Sequence, residues 1–172
     1  MFLFLIIHSI NVFNILAGEG GGNEPPYYLL TKSKLMYYEN NMNDKLMFSE
    51  NAAKQLIAKM DFAKAELLPA IAVDVENGEV LMQAWLNEAA MLETLMSGQV
   101  CYYSRSKQAL WRKGETSGHV QLLKQVRLDC DYDCVMFMVE QIGAACHTYR
   151  RNCFFYSATE SGEWNIIAEP IL

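Results

Sequence analysis

The sequence predicts an α+β domain built on a mostly antiparallel sheet with a few helices. Two observations carry the prediction: only two stretches show helical periodicity with caps, and at least six short β-rich runs lie between turn signals. Ser49 can cap a helix over ENAAKQLIAKMDF, where Leu56, Ile57, Met60 and Phe62 form a partly amphipathic face. Residues 70–75 and 79–86 read as strands joined at Glu76-Asn77-Gly78, because Asn-Gly favours a tight hairpin turn. Asn87 caps a second helix, EAAMLETLMS, which Gly98 closes as a left-handed C-terminal residue. Further strands are expected over 100–104, 119–128, 135–142 and 153–157. There is no internal repeat, and neither GxGxxG nor GxxxxGK[ST] occurs.

The 172 residues, 52% hydrophobic and 20% charged, suffice for one packed domain. Residues 1–17, MFLFLIIHSINVFNILA, are the most apolar stretch, yet no Lys or Arg precedes Lys32 and polar residues interrupt the run. It is shorter than the about 20 residues a bilayer span needs. The reading is an N-terminal extension, or a start placed upstream of Met36, Met42 or Met47, rather than a signal or anchor. AGEGGGNEPP follows as a flexible linker, so residues 1–48 are taken as extension and linker and 49–172 as the single domain. A net charge of −6 argues against a protein that grips nucleic-acid backbones. The excess is local. Residues 66–157 carry eleven acids against eight bases, and without Asp129, Asp131 and Asp133 they balance. Five cysteines, all between Cys101 and Cys153, suggest reduced thiols in one region.

The densest chemistry is Asp129-Cys130-Asp131-Tyr132-Asp133-Cys134. Alternate carboxylates on an extended segment share one side, repel one another, and suit Mg²⁺, a hard cation with oxygen ligands. The competing reading is a solvated acidic turn between strands. Cys130 has the opposite parity and is expected to face away from the carboxylates. Cys146-His147 and Cys153 follow at spacings of 16 and 7, which match no zinc-finger signature. Three thiolates with a nearby His suit zinc, and three ligands leave a fourth position open, as in catalytic sites. Singly, each thiol can equally be a small buried apolar residue, and Cys101 and Cys134 are read that way. The stretch from Tyr102 to His119 offers glycines, hydroxyls and basic groups that suit an anion such as phosphate, or form an ordinary polar loop.

Four blocks in order, LMQAWLN (81–87), YYSRSKQALWRKGETSGH (102–119), DCDYDC (129–134) and GAACHTYRRNCFF (143–155), resemble phosphoribosyl-AMP cyclohydrolases of histidine biosynthesis. The resemblance spans roughly residues 66–157. It implies that Cys130, Cys146 and Cys153 are zinc thiolates, that Asp129, Asp131 and Asp133 hold Mg²⁺, and that His147 is catalytic. It also implies an intertwined homodimer with zinc ligands from both subunits. Free thiols, the lack of a convincing signal and a metabolite substrate make the cytoplasm the expected compartment. Because the chain ends soon after the last block, the monofunctional form, without a fused pyrophosphatase, is expected. Three departures stand out: Tyr149 where the family usually has Gly, Asn152 where Ser is common, and Cys134 in place of a small or β-branched residue.

The implied reaction opens the adenine ring of phosphoribosyl-AMP between N1 and C6. Zinc can bring the pKa of a water from about 15.7 to near 7, so a zinc-activated water is the expected nucleophile at C6. His147 is the candidate to move the proton, and Mg²⁺ to assist substrate binding. Arg105, Lys113, Ser117 and His119 are candidates for phosphate and ribose contacts, since an acidic protein needs local basic groups for an anionic substrate. Two other readings differ in testable ways. A non-enzymatic module with a structural zinc would need a fourth protein ligand from Cys101, Cys134 or His147. A zinc nucleobase deaminase needs His-x-Glu and Pro-Cys-x-x-Cys, and neither occurs.

Overall fold

Residues 46–171 are described by the structure, a computed structural model. The readings for residues 1–45 lie outside the described residues. The chain runs α1 (Glu50–Ile57), β1 (Leu68–Asp74), β2 (Val80–Leu86), α2 (Glu88–Ser97), β3 (Cys101–Ser104), β4 (Ala109–Arg112), β5 (Gln121–Leu128), β6 (Val135–Gln141), β7 (Tyr156–Ala158) and β8 (Trp164–Ile166). The α+β class holds. The main sheet has the order β2-β1-β6-β5, antiparallel except for the β1–β6 pair, and β3–β4 and β7–β8 form two small antiparallel sheets. Among the described residues, no helix is long and apolar enough to cross a membrane.

Both helix starts follow their caps. The Ser49 hydroxyl accepts from the Ala52 N–H at 3.3 Å, and Asn87 Oδ1 accepts from the Ala90 N–H at 2.9 Å. Gly98 closes α2 at φ 66°, a conformation only glycine adopts freely. Helix α1 stops short of the predicted Phe62 because the Asp61 N–H turns to the Tyr132 carbonyl at 2.8 Å. Leu46 and Phe48, expected in the extension, already pack on the core, and their N–H groups donate to Leu123 and Leu95 carbonyls.

Alternation builds the core. In β6, Val135, Phe137, Val139 and Gln141 are buried while the residues between them are not. Leu68, Ala70 and Ala72 of β1 and Ala90, Met91 and Leu95 of α2 meet them there. A buried polar chain crosses this apolar interior without an orphan. The Tyr102 hydroxyl donates to Gln121 Oε1 at 2.7 Å, Gln121 Nε2 to Gln141 Oε1 at 2.9 Å, and Gln141 Nε2 to the Ile142 carbonyl at 2.8 Å.

Two strands differ from expectation. The predicted strand over 153–157 starts at Tyr156, because Asn152 Oδ1 accepts from the Phe154 N–H at 2.8 Å and turns the backbone there. Strand β4 went unpredicted because all four of its residues are exposed, leaving no alternation to read.

Candidate active site

A cleft of about 410 Å³ opens beside the middle of β2, lined by Met82, Trp111, Lys113, Ser117, His119, Cys146, His147, Tyr149 and Cys153, among others. Its walls are two loops. The first, 113–119, folds tightly: a Cβ at Gly114 (φ 84°) would lie 2.6 Å from the His119 carbonyl carbon and Val120 nitrogen. The second, 143–153, begins at Gly143, where a Cβ would strike the His119 ring at 2.8 Å. Two glycines therefore let the loops close on each other with His119 between them.

The second loop carries the sulfur donors. The Cys146 thiol lies 3.0 Å from the Thr148 hydroxyl and 3.5 Å from the Thr148 N–H. Burial pushes the Cys146 pKa up, but hydrogen bonds from Thr148 and Cys153 and the charge of Arg150 outweigh it, so the thiol sits below its ordinary value. Burial and the neighbouring Cys146 push Cys153 the other way, up to about 12. The pair shares charge: one sulfur ionises readily and the second resists until a cation joins it. His147 Nδ1 lies 4.0 Å from Cys146 Sγ. Because 146–149 is a turn rather than an extended segment, Cys146 and His147 both line the cleft.

Lys113 is only 4% exposed, and its ammonium donates to the His119 carbonyl at 2.9 Å. Burial lowers its pKa, against the pull of Cys153 and Cys146. The His119 pKa is likewise lowered, by burial and then by Lys113. Ser117 is exposed and its hydroxyl accepts from the His119 N–H at 3.3 Å. Arg105 lies elsewhere: its guanidinium stacks 4.7 Å from the Trp85 ring centroid, beside a smaller cavity lined by Glu66, Tyr103 and Gln108.

The acidic segment is a turn between β5 and β6, not the extended stretch that the alternation argument assumed. Asp129 Oδ1 accepts from the Asp133 and Cys134 N–H groups at 3.0 and 3.1 Å, and Tyr132 takes φ 68°. Capping of the turn by the Asp129 carboxylate, rather than strand parity, brings the three carboxylates together, with one oxygen of each within 4.8 Å of the others. For the same reason Cys130 does not face away: it is exposed, with its sulfur 3.9 Å from Asp131 Oδ1. Lys64 places its ammonium among the acids, 2.9 Å from Asp131 Oδ2 and 3.3 Å from Asp133 Oδ2. A cation therefore already offsets the repulsion between Asp131 and Asp133.

The cleft thus gathers Cys146, Cys153, His147, Lys113, Ser117 and His119, while the acidic trio forms a separate group. Cys130 joins no set of three metal-donor side chains within reach of one another among the described residues, where the acidic trio is the only such set. Sequence reasoning missed Lys64, Thr148 and the Asp74–Arg151 pair that anchors the second loop. Each contributes through contacts that the local pattern does not reveal, and Lys64 meets Asp131 across 67 positions of chain.

Thiols beside acid–base side chains in one cleft, with a group of carboxylates on a separate turn, fit a hydrolase. Residues 82–155 match the family profile described as phosphoribosyl-AMP cyclohydrolase. The chain is similar to a phosphoribosyl-AMP cyclohydrolase of Cereibacter sphaeroides strain KD131, at 52% identity over 115 residues, covering 67% of this chain and 96% of that one. It is similar to that of Magnetococcus marinus at 49% over 114 residues (66% and 88%), and to that of Hydrogenovibrio crunogenus at 54% over 106 residues (62% and 71%). The chain belongs to the phosphoribosyl-AMP cyclohydrolase family.

Proposed function

We propose that this protein hydrolyses phosphoribosyl-AMP in histidine biosynthesis, as a cytoplasmic homodimer that uses zinc on Cys130, Cys146 and Cys153 and Mg²⁺ on Asp129, Asp131 and Asp133. The carrying observation is the cleft that joins the Cys146–Cys153 pair to His147, His119 and Lys113, in a chain half identical to cyclohydrolases along nearly their whole length. Five free thiols support a reducing compartment.

The residues present fit both metals by the chemistry of their donors. Cys146 and Cys153 are close enough to share a hydrogen bond, and Cys146 is tuned toward the thiolate. Asp131 and Asp133 of the acidic trio already take the Lys64 ammonium as a stand-in cation. When bound, zinc would supply Lewis acidity that lowers the pKa of water toward about 7, and Mg²⁺ would supply positive charge for an anionic substrate.

His147, exposed on the cleft wall, takes the proton of the attacking water as its oxygen bonds to C6. The C6–N1 bond breaks as N1 receives that proton from His147, and the remaining hydroxyl proton passes to the exocyclic nitrogen, so that C6 ends as a carboxamide carbon. Lys113 and His119 hold the opposite loop in place through the ammonium–carbonyl bond, and Ser117 at its exposed edge faces the polar end of the substrate.

The dimer has its own support. Among the described residues Cys130 joins no set of three metal-donor side chains, and Phe154, Tyr156, Trp164, Ile166, Ile167 and Ile171 leave large apolar surface exposed at the C-terminal end.

Protein purified with Zn²⁺ and Mg²⁺ is expected to convert phosphoribosyl-AMP to the ring-opened product. Cys146→Ser should abolish turnover and zinc binding, and His147→Asn should abolish turnover with zinc retained. Wild-type turnover no higher than that of Cys146→Ser would refute the assignment.

A further inference from the structure

We propose that Tyr149 contacts the substrate directly, its ring forming an aromatic wall of the cleft against which the purine stacks. The inference rests on the proposed function for the identity of the substrate, and on the backbone for the role.

Among the described residues, three that are not glycine take positive φ: Gln108, Tyr132 and Tyr149. Gln108 sits in the β3–β4 hairpin and Tyr132 in the acidic turn, where the chain must reverse tightly. Tyr149, at φ 62°, closes the turn that begins at Cys146, with its N–H donating to the Cys146 carbonyl at 3.1 Å. This is a conformation in which a Cβ is strained and glycine is not. A bulky aromatic kept there implies a return from its side chain, because strained positions persist where function or surrounding contacts maintain them.

The fold does not bury that side chain. Tyr149 remains 52% exposed although it lines the cleft. Its ring meets His119 edge-on, with centroids 6.0 Å apart and planes at 75°, and this contact leaves much of the ring open. Both partners are pinned. The Tyr149 carbonyl accepts from the Ile171 N–H at 2.8 Å, and His119 is pressed against Gly143 so closely that no Cβ fits between them. A fixed aromatic surface, open to a cleft of about 410 Å³ that also carries Trp111, suits a flat heterocycle. Stacking would hold the purine by its face and leave its edge to the acid–base groups.

The test compares Tyr149→Gly, Tyr149→Asn and Tyr149→Phe. Glycine and asparagine both tolerate the left-handed backbone, so folding and zinc content should survive, with the melting temperature of Tyr149→Gly at or above the wild type. Both should raise KM for phosphoribosyl-AMP about tenfold, the range of a lost base–aromatic stack, with kcat held within about twofold. Tyr149→Phe should match the wild type. AMP, as an unreactive adenine nucleotide, should bind correspondingly more weakly to the Gly and Asn variants by calorimetry. KM and AMP affinity unchanged in Tyr149→Gly, weakening shared by Tyr149→Phe, or loss of kcat in step with zinc would each overturn the role. A wild-type enzyme that binds AMP through Tyr149 but turns over no phosphoribosyl-AMP would strike the proposed function and leave the aromatic wall standing.

Discussion

The acidic turn and the cysteine loop are both short reversals dense in metal-donor side chains, yet they are built in opposite ways. The acidic turn is almost self-contained: Asp129 closes it through two of its own N–H groups, and its carboxylates are exposed or half-exposed. The cysteine loop depends on distant chain. The Cys153 N–H donates to the Leu81 carbonyl at 2.7 Å, Arg151 pairs with Asp74 and Glu79, and Arg150 Nε donates to the Ala168 carbonyl at 2.7 Å. Hard carboxylates ionise in water without help, so a local turn can present them. Thiols near a metal must be partly buried, which opposes their ionisation, and they need a scaffold that supplies compensating hydrogen bonds. The contrast predicts that the two sites fail separately.

The largest effect should come from the thiol side. Outer-shell partners of a metal are already worth about 10–100-fold in affinity or activity, so Cys130→Ser and Cys146→Ser should each cost more than about a hundredfold. Co-expression of these two variants sharpens the point. If each zinc set combines Cys130 of one protomer with Cys146 and Cys153 of its partner, a mixed dimer regains one intact site. Random pairing should then restore about one quarter of wild-type activity. Recovery near zero would mean that a single chain supplies all three thiolates. Mn²⁺ binding to the acidic turn, read by electron paramagnetic resonance, should stay unchanged throughout.

Asp74 tests the scaffold itself. Its carboxylate is 2% exposed, bonded to the Arg151 guanidinium, and accepts from the Glu76 N–H at 2.8 Å. Asp74→Ala frees the Glu76 N–H and leaves Arg151, which is one-third exposed, with Glu79 alone, so it should destabilise the fold by about 1–3 kcal/mol. Urea denaturation at fixed protein concentration reads this cost. Because the Arg151 carbonyl accepts from the Ala145 N–H at 3.3 Å, zinc affinity should fall with it. A parallel fall in Mn²⁺ affinity would break the separation between the two regions.

The same contrast governs what was legible in the sequence. Helix α2 could be read at both ends because Asn87 and Gly98 act on their own neighbours. The clustering of Asp129, Asp131 and Asp133 was legible too, although by the wrong geometry: strand parity suggested convergence, and a turn capped by Asp129 produces it. That error misplaced Cys130, which stands beside Asp131 instead of facing away. Lys113 and Arg105 looked alike as basic residues near the glycine-rich loop, yet one is buried beside the thiols and the other stacks on Trp85. Composition reports that a charge is present. Only tertiary packing decides what it faces, and Lys64 and Asp74 left no local trace of their roles.

Lys64 offers the smallest and most discriminating test. Its ammonium is held by Asp131 first and Asp133 next, which together push its pKa up to about 12 despite some desolvation. It is therefore cationic at every working pH, and a divalent ion must displace it to reach the same oxygens. Lys64→Met removes the competitor and leaves the Asp129 turn intact, since that turn closes through Asp133 and Cys134 N–H groups. Mn²⁺ affinity should rise about two- to fivefold, the scale of an exposed ion pair, while Lys64→Arg should bind as the wild type does. Zinc content should not move in either variant. Weaker Mn²⁺ binding in Lys64→Met would mean that Lys64 orients the carboxylates for the ion rather than standing in for it. The acidic turn would then depend on distant chain after all, as the cysteine loop does.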